Sequence, residues 1–231
     1  MSPGRFLEIG VGRGLFFQDL LYRGFRGVCL DLNRELIAEH VNSGSFKPAE
    51  IEFRAQNFFE LGDRFNLIVA FEVLEHYERD LDCLRKWLEL LQPKGTLIFS
   101  VPAHMRQWTK NDTRAGHARR YEKKEILEKL EVCGFQTDFF WCYGFPLLNL
   151  TYPLSVGLSR STTAETHTEN SGDARMADFR KTASSGSRLF PGFSGWLFRQ
   201  PLWFPWLQCQ RLFLNGDLGT GYLVKCSPKA K

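Results

Sequence analysis

Short apolar runs alternate with amphipathic stretches through the first 142 residues of the chain. Six of these runs predict β-strands, at residues 6–9, 27–30, 51–53, 65–70, 96–101 and 135–141. Helical spacing of apolar residues between them predicts helices at residues 15–22, 34–41, 81–91 and 122–133. Strands that alternate with helices form βαβ units, whose right-handed crossovers build a mostly parallel sheet. The pattern therefore predicts a doubly wound α/β fold that binds its ligands at the carboxyl ends of the strands.

Single residues mark where several of these elements begin and end. Asn33 and Asp80 precede helical stretches and are predicted as N-caps, because their side chains can accept a hydrogen bond from a free backbone N–H. Gly24 and Gly134 follow helical stretches and are predicted to end them. The Pro-Lys-Gly sequence at residues 93–95 predicts a turn into the fifth strand.

The regular alternation ends near residue 142. Residues 159–188 are rich in Ser, Thr and charged side chains and predict a flexible segment, whereas residues 189–214 are dense in Phe, Trp, Leu and Pro. Residues 219–226 alternate again and predict a seventh, antiparallel strand, which we place beside the sixth. We therefore expect one domain formed by residues 1–142 and 218–231, with residues 143–217 as an aromatic insertion or lid.

Charge is spread unevenly along the chain. Residues 1–138 carry 20 Lys and Arg against 21 Asp and Glu, whereas the remainder carries 10 against 5. An even balance in the first part disfavours nucleic acid as a partner, and a basic, aromatic tail suits an anionic membrane surface or a lipophilic substrate. The uncharged residues 139–158 are not predicted to span a membrane, since Gly and Pro interrupt them and their first part is needed as a strand. Residues 189–214 fit an interfacial element or an ordinary lid.

The six cysteines are scattered and form no Cys-x-x-Cys pair. We interpret them as reduced, buried thiols without a bound metal, as expected in a reducing compartment. A strand follows Met1 almost at once, so no signal peptide is predicted and a cytoplasmic location, with possible membrane association, is expected.

A glycine-rich loop follows the first strand, with the sequence Glu8-Ile9-Gly10-Val11-Gly12-Arg13-Gly14. Glycines in this position allow a tight turn and a close approach of backbone to a ligand. The Gly-x-Gly-x-Gly spacing differs from the Gly-x-Gly-x-x-Gly fingerprint of dinucleotide-binding proteins. Glu8 also disfavours a diphosphate, which it would repel, and favours a cationic ammonium group.

These motifs resemble those of the class I S-adenosylmethionine-dependent methyltransferases over about residues 5–142. The resemblance implies a Rossmann-like, seven-stranded sheet and S-adenosyl-L-methionine as cofactor. It assigns cofactor binding to the first-motif residues, to the acid that grips the ribose diol, to the loop beside adenine and to the segment after the fourth strand: Glu8, Gly10, Gly12, Gly14, Asp31, Asn57, Phe58 and Phe71. Asn57 departs from the family, which commonly has an acid there, although an amide can still accept from the adenine amino group.

The segment Gly-His-Ala-Arg-Arg-Tyr at residues 116–121 resembles one that overhangs the methyl group in a branch of this family. His117 is the first candidate for a general base, with His104 and His76 as rivals, because a neutral imidazole can accept a proton near pH 7. Alternatively, His117 and the two arginines after it anchor the loop by pairing with acids. The expected acceptor is a small molecule or a lipid, methylated on oxygen, nitrogen or carbon.

Three further features leave alternatives open. Glu72, Glu75 and His76 resemble a divalent-metal set of ubiquinone-type O-methyltransferases, but the same string is widespread in members without metal, and we expect none. The family usually has helices before the first strand that cover the cofactor, whereas about four residues precede it here, so the sequence is either a fragment or uses another element as lid. Besides a small-molecule methyltransferase, the sequence is compatible with a non-catalytic cofactor-binding or scaffold protein, and less so with an RNA or protein methyltransferase.

Overall fold

The computed structural model describes residues 3–43, 47, 49–149, 205 and 208–229. Seven strands lie in these ranges: β1 (Arg5–Ile9), β2 (Arg26–Leu30), β3 (Ile51–Arg54), β4 (Phe65–Phe71), β5 (Leu91–Pro102), β6 (Phe135–Tyr143) and β7 (Gly221–Pro228). The helices are α1 (Leu15–Tyr22), α2 (Arg34–Asn42), α3 (Asp80–Leu90), α4 (Lys110–Ala115) and α5 (Lys123–Val132). Short 3₁₀ turns occupy Phe58–Glu60, Leu74–His76 and Met105–Gln107.

All seven strands form one sheet in the order β3-β2-β1-β4-β5-β7-β6. The pairs from β3 to β5 are parallel, and β7 runs antiparallel to both of its neighbours. This confirms the predicted doubly wound α/β sheet with an antiparallel last strand. Strand order reverses between β1 and β4, and such a switch point opens a crevice at the carboxyl ends of the strands.

Side chains on the two faces of the sheet belong to two separate buried clusters. Phe6 packs in the cluster that contains Phe17 of α1, while its neighbour Leu7 packs in the cluster that contains Trp87 of α3. Successive strand residues point to opposite faces, so a strand covered on both faces is apolar throughout. This explains why the strands were visible as continuous apolar runs.

Helix caps were predicted correctly at one of two positions. The Asn33 side chain accepts hydrogen bonds from Glu35 N and Leu36 N, at 3.0 and 3.2 Å, and caps α2. The prediction for Asp80 was wrong, since Arg79 is the N-cap and Asp80 is the first residue of α3. Its buried carboxylate instead accepts from Tyr121 Oη at 3.0 Å and forms ion pairs with Arg119 and with Lys129 of α5.

Two local features differ from the sequence pattern. The predicted turn at residues 93–95 lies inside β5, which begins five residues earlier than expected. The pairing of β5 with β4 shifts its register between Phe65 and Leu67 of β4. Helix α4 was not predicted, because its sequence is almost wholly polar. A capping box between Thr109 and Asp112 begins it, and Gly116, at φ +75°, ends it.

The last strand returns to the position expected for it. β7 pairs with β6 from Pro228 opposite Phe135 to Gly221 opposite Tyr143, so the chain between these strands leaves and re-enters at one edge. The predicted flexible residues 159–188, and residues 189–204, 206 and 207 of the aromatic stretch, lie outside the described residues. No helix within the described ranges is long and apolar enough to cross a bilayer. All six cysteines are unpaired, and five of them are buried, as predicted.

Candidate active site

The glycine loop joins β1 to α1 in a conformation that favours glycine at three positions. Gly10, Gly12 and Gly14 have φ values of +74°, +50° and +72°. A Cβ on Gly10 would lie 2.8 Å from Val73 Cγ2, and one on Gly14 would lie 2.1 Å from Phe17 Cε1. Side chains rarely adopt such backbone angles, and here they would also collide with neighbours. The loop therefore approaches both α1 and the segment after β4 closely.

Asp31 stands at the carboxyl end of β2, directly beside this loop. Its Oδ2 accepts from Gly12 N at 3.3 Å, and its Oδ1 accepts from Asn33 N at 2.9 Å. The carboxylate is half-buried and faces a pocket. Each oxygen retains further acceptor capacity, so the carboxylate can accept hydrogen bonds from a diol.

That pocket lies at the switch point of the sheet. Its lining is largely apolar and comes from the ends of β1 and β2 and from the loops after β3 and β4: Ile9, Gly10, Leu30, Asp31, Leu32, Gln56, Asn57, Phe58, Val73, His76 and Tyr77. Four predicted cofactor residues line it, namely Gly10, Asp31, Asn57 and Phe58. Val73 lies in the segment after β4 that the resemblance assigned to the cofactor, whereas Tyr77 was not predicted.

Several predicted cofactor residues also stabilise the structure around the pocket. Asn57 both lines the pocket and caps the 3₁₀ turn after it, accepting from Phe59 N at 3.1 Å. Phe71 packs edge-on against Phe16 of α1, with ring centroids 5.0 Å apart. Gly12 and Gly14 shape the loop without lining the cavity. These roles are structural in the free protein.

Glu8 is a buried carboxyl in β1, one residue before the pocket. It is 4% exposed, and its nearest polar side-chain contact is a weak one with Cys29 Sγ, 4.0 Å from Oε2. Burial raises the pKa of Glu8 to about 8, with a backbone interaction from Phe17 acting against the shift. A cation placed here would offset the cost of ionising this carboxyl. The site thus suits an ammonium group.

Two of the three predicted general-base candidates lie together above the pocket. The rings of His76 and His117 are edge to face with centroids 4.9 Å apart, and His76 lines the pocket. Burial, followed by the proximity of His117, lowers the pKa of His76 to about 4. His76 is therefore neutral and a weak proton acceptor at neutral pH.

Asp112 orients the second candidate. Its Oδ1 lies 3.0 Å from His117 Nδ1, and both carboxylate oxygens accept from the Arg120 guanidinium at 2.8 and 3.0 Å. Burial acts to raise the pKa of Asp112, but hydrogen bonds from His117 and Arg120 outweigh it and hold that pKa well below its usual range. An ionised Asp112 places the His117 proton on Nδ1 and leaves Nε2 free to accept one. The sequence reasoning missed Asp112, which the Thr109 capping box could have identified.

The neighbouring arginines pair with acids, as the anchoring interpretation predicted. Arg120 is buried against Asp112, and Arg119 lies 3.2 Å from an Asp80 carboxylate oxygen and donates to Glu78 O. These contacts hold the segment after α4 over the 3₁₀ turn that follows β4. His117 is thus carried on an anchored loop, and anchoring and catalysis are compatible roles.

Glu75 is fully buried beneath the two histidines. Its Oε1 lies 3.9 Å from His76 Nε2 and 3.8 Å from His117 Nε2, and neither carboxylate oxygen has a hydrogen-bond partner in the described part of the chain. Burial, together with the nearby charge of Glu72, raises the pKa of Glu75 well above its usual value. A carboxyl without donors is costly to ionise, so this environment favours its neutral form.

Glu72, Glu75 and His76, which resemble a metal set in the sequence, do not form one group in the structure. Glu72, at φ +52°, accepts from Ser100 Oγ at 2.7 Å and from Tyr143 Oη at 3.1 Å. Among the described residues, the group close enough to share an ion here is Glu75, His76 and His117. The expectation of no metal at this position stays a prediction. His104 lies in a different cluster, where its Nδ1 is 3.0 Å from Glu122 Oε2.

Comparison with known proteins places these features in a family. The ubiquinone biosynthesis O-methyltransferase of Xanthomonas campestris pv. campestris (strain B100) is 29% identical over 104 residues, which cover 43% of this chain and 44% of that protein. The chain thus spans less than half the length of such curated relatives. A SAM-dependent methyltransferase structure from Methanosarcina mazei superposes with a TM-score of 0.56 at 13% identity, covering 100% of this chain and 95% of that one.

The same fold also occurs in the [4+2]-cyclase SpnF, with a TM-score of 0.56 at 14% identity, covering 99% of this chain and 76% of that one. At such identities the structures share the fold alone. The sequence profile of a methyltransferase domain, in contrast, matches residues 1–138. This is more than half of the 231 residues, and the chain belongs to the class I S-adenosylmethionine-dependent methyltransferase family.

Proposed function

We propose that the protein transfers a methyl group from S-adenosyl-L-methionine to a hydroxyl oxygen of a small, lipophilic acceptor, with His117 as the general base. The observation that carries this proposal is the Asp112–His117 pair, held beside the cofactor pocket by an anchored loop. A carboxylate that fixes the tautomer of a histidine is the arrangement used to accept a proton from a nucleophile. Such a base is useful only if the acceptor must lose a proton.

In the proposed step, a carbon–oxygen bond forms and a carbon–sulfur bond breaks. The acceptor oxygen attacks the methyl carbon in line with the carbon–sulfur bond, and that bond breaks to leave S-adenosylhomocysteine. The hydroxyl proton passes to His117 Nε2 and from there to solvent. The protein contributes alignment above all, because the sulfonium methyl is already reactive.

Two observations favour this acceptor class. The curated relatives carry the name of an O-methyltransferase of ubiquinone biosynthesis, which points to a hydroxylated ring with an apolar tail as the type of acceptor to try first. The described ends of the insertion are apolar as well: Leu212 is 81% exposed, and the rings of Phe145 and Phe213 pack at 4.9 Å. We propose that residues 143–217 form a lid over the acceptor and supply its apolar contacts.

The test of this function is transfer of a labelled methyl group from S-adenosyl-L-methionine to a panel of matched acceptors. The panel pairs catechols bearing alkyl tails with the same compounds in which both hydroxyls are methylated, replaced by hydrogen or replaced by amino groups. Label should enter only the compounds that retain a free hydroxyl. Uptake into carbon or nitrogen acceptors instead would contradict the proposal.

The rival is a non-catalytic protein that binds the cofactor without transferring its methyl group. A fold does not by itself determine the reaction, and the [4+2]-cyclase SpnF shares this fold under a name that denotes a different reaction. Tight binding of S-adenosyl-L-methionine without transfer to any fraction of a cell extract would favour it.

Asp31→Ala is expected to weaken cofactor binding by about 1.5–3 kcal/mol, the usual contribution of hydrogen bonds to a charged group. The carboxylate lies in the pocket wall and also holds Gly12 N, so part of the loss would come from a looser loop. Titration calorimetry measures the effect, and Asp19→Ala on the exposed face of α1 is the matched control. If Asp31→Ala bound the cofactor as tightly as wild type, the ribose role would be wrong.

Membrane contact through residues 189–214 is proposed on sequence alone, because a basic and aromatic stretch suits a lipid headgroup boundary. We expect the protein to co-sediment with anionic vesicles, more weakly as salt is raised, and not with neutral vesicles. Replacing Arg199 and Arg211 by Gln should reduce the binding. If the protein remains in the supernatant under every condition, the membrane contact is wrong and only the proposed lid over the acceptor remains.

A further inference from the structure

A second cluster of ligand-type side chains lies where β5, β6 and β7 meet, at the base of the insertion. It contains His104, two residues after β5, Cys142 near the end of β6, and Asp217, four residues before β7. One ligand atom from each of the three lies within 4.8 Å of the other two. None of them lines the cofactor pocket.

The histidine of this cluster has an unused ring nitrogen. His104 is 2% exposed, and its Nε2 has no hydrogen-bond partner in the described part of the chain. Asp217 Oδ1 is the closest acid, 3.5 Å from that nitrogen. A buried polar atom without a partner is costly, so its persistence calls for a ligand.

The other ring nitrogen is held in the way that metal-binding histidines require. Glu122 Oε2 lies 3.0 Å from His104 Nδ1, which places the ring proton there and leaves the lone pair on Nε2. A carboxylate behind a histidine is the usual support of a metal ligand, because it fixes the tautomer and raises the basicity of the other nitrogen. The sulfur is supported as well, since Gly219 N donates to Cys142 Sγ at 3.0 Å.

We infer that His104, Cys142 and Asp217 bind a divalent transition-metal cation of the zinc class. Nitrogen, sulfur and oxygen donors together match the ligand preferences of zinc. Donor atoms bound tetrahedrally at zinc distances lie about 3.3–3.6 Å apart, and the 3.5 Å between His104 Nε2 and Asp217 Oδ1 already meets this spacing. Binding forms a metal–sulfur bond and releases the Cys142 thiol proton to solvent.

The position of the site indicates what the cation does. Cys142 lies at one end of the insertion, Asp217 lies at the other, and His104 belongs to the sheet. A bound cation would fasten both ends of residues 143–217 to β5. Asp217 is half-exposed, with 46% of its side chain accessible, so the cation has an entry path and water can take its fourth position. The inference revises the expectation, made from the sequence, that no metal is bound.

Cobalt(II) is the probe, because a thiolate bound to it gives a sulfur-to-metal charge-transfer band. Protein freed of metal with a chelator is titrated with cobalt, and we expect a near-ultraviolet band that saturates at one equivalent and is removed by zinc. Cys142→Ser should lose the band, whereas Cys83→Ser, at a buried cysteine of α3, should keep it. Glu75→Gln should also keep it, since the group around Glu75 contains no sulfur.

A second measurement separates the supporting acid from a ligand. Glu122→Gln should retain the band but weaken cobalt affinity about 10- to 100-fold, the usual effect of removing such support. The rival account is an imidazolium of His104 held between Glu122 and Asp217 without any metal. Absence of a charge-transfer band in the wild-type protein, or a band that persists in Cys142→Ser, would overturn the inference. Thermal melts of each metal-free variant establish that it is folded.

Discussion

Replacing Glu8 by Gln is expected to stabilise the protein at pH 7 by about 3 kcal/mol and to weaken binding of S-adenosyl-L-methionine. The pKa of Glu8 is raised to about 8 from an ordinary value of 4.5. For a carboxyl whose pKa is raised by folding, stability is complete below the unfolded-state pKa and falls as pH rises towards the folded-state pKa. The loss accumulates at about 1.4 kcal/mol for each pH unit, which gives the expected size at pH 7. Glutamine fills the same space without this cost.

Chemical denaturation across pH tests the stability. The gain in Glu8→Gln should vanish near pH 4.5 and grow up to pH 8, and the exposed Glu39→Gln should show no such trend. A stability difference that does not depend on pH would show that Glu8 titrates normally.

The same carboxyl couples cofactor binding to protons. If the cofactor ammonium lies beside Glu8, its charge lowers the pKa of that group, and close to one proton should leave as the cofactor binds at pH 7. Calorimetry in two buffers with different ionisation enthalpies counts this proton. Glu8→Gln should bind more weakly and release none. This would be a case in which a function is retained at the expense of stability.

Replacing His117 by Ala is expected to lower kcat by about 10²- to 10³-fold with little change in cofactor affinity. The expected size is that of a general base in a transition state. His117 does not line the cofactor pocket, and its Nδ1 is engaged by Asp112, which leaves only Nε2 to act on the acceptor. Steady-state kinetics with an identified acceptor, together with cofactor titration, measure the two effects separately.

The pH profile separates catalysis from loop anchoring. In the wild type, kcat should rise as a base loses its proton, and this limb should disappear in His117→Ala. Thr113→Ala, on the exposed side of the adjoining helix, is the matched control and should retain it. If turnover is unchanged in His117→Ala, His117 is not the general base, and another group or no group accepts the proton.

The sequence predicted the sheet and the tight turn of the glycine loop well, because local rules govern both. Strands buried on two faces are continuous apolar runs, and the glycine loop is contiguous in the chain. Alternation at residues 219–226 predicted a last strand, and its predicted place beside the sixth strand is confirmed, whereas its insertion between β5 and β6 was not predicted.

The acceptor side was harder because its contacts join distant parts of the chain. The sequence indicated Glu75 only as part of a set that resembles a metal site, whereas in the structure the segment after α4 covers it, and Ala118 N donates to Glu75 O at 2.7 Å. The Tyr143 hydroxyl donates a hydrogen bond to Glu72, which lies 71 positions earlier in the sequence. This contact depends on the register of β6 against β7. Asp80 was taken for a cap because its partners Tyr121 and Lys129 lie more than forty positions away.

The pairing of Tyr143 with Gly221 has a consequence for how this scaffold can diversify. Because Thr220 N donates to Tyr143 O at 2.8 Å, the two ends of the intervening chain remain neighbours whatever its length. Lengthening a loop between fixed neighbours costs only about 0.6 kcal/mol for each doubling. Inserts of different sizes could therefore be exchanged at this junction without disturbing the sheet. Each would begin next to Tyr143, whose hydroxyl donates to Glu72 near the proposed acceptor site, so a change of insert would offer a direct route to a change of acceptor.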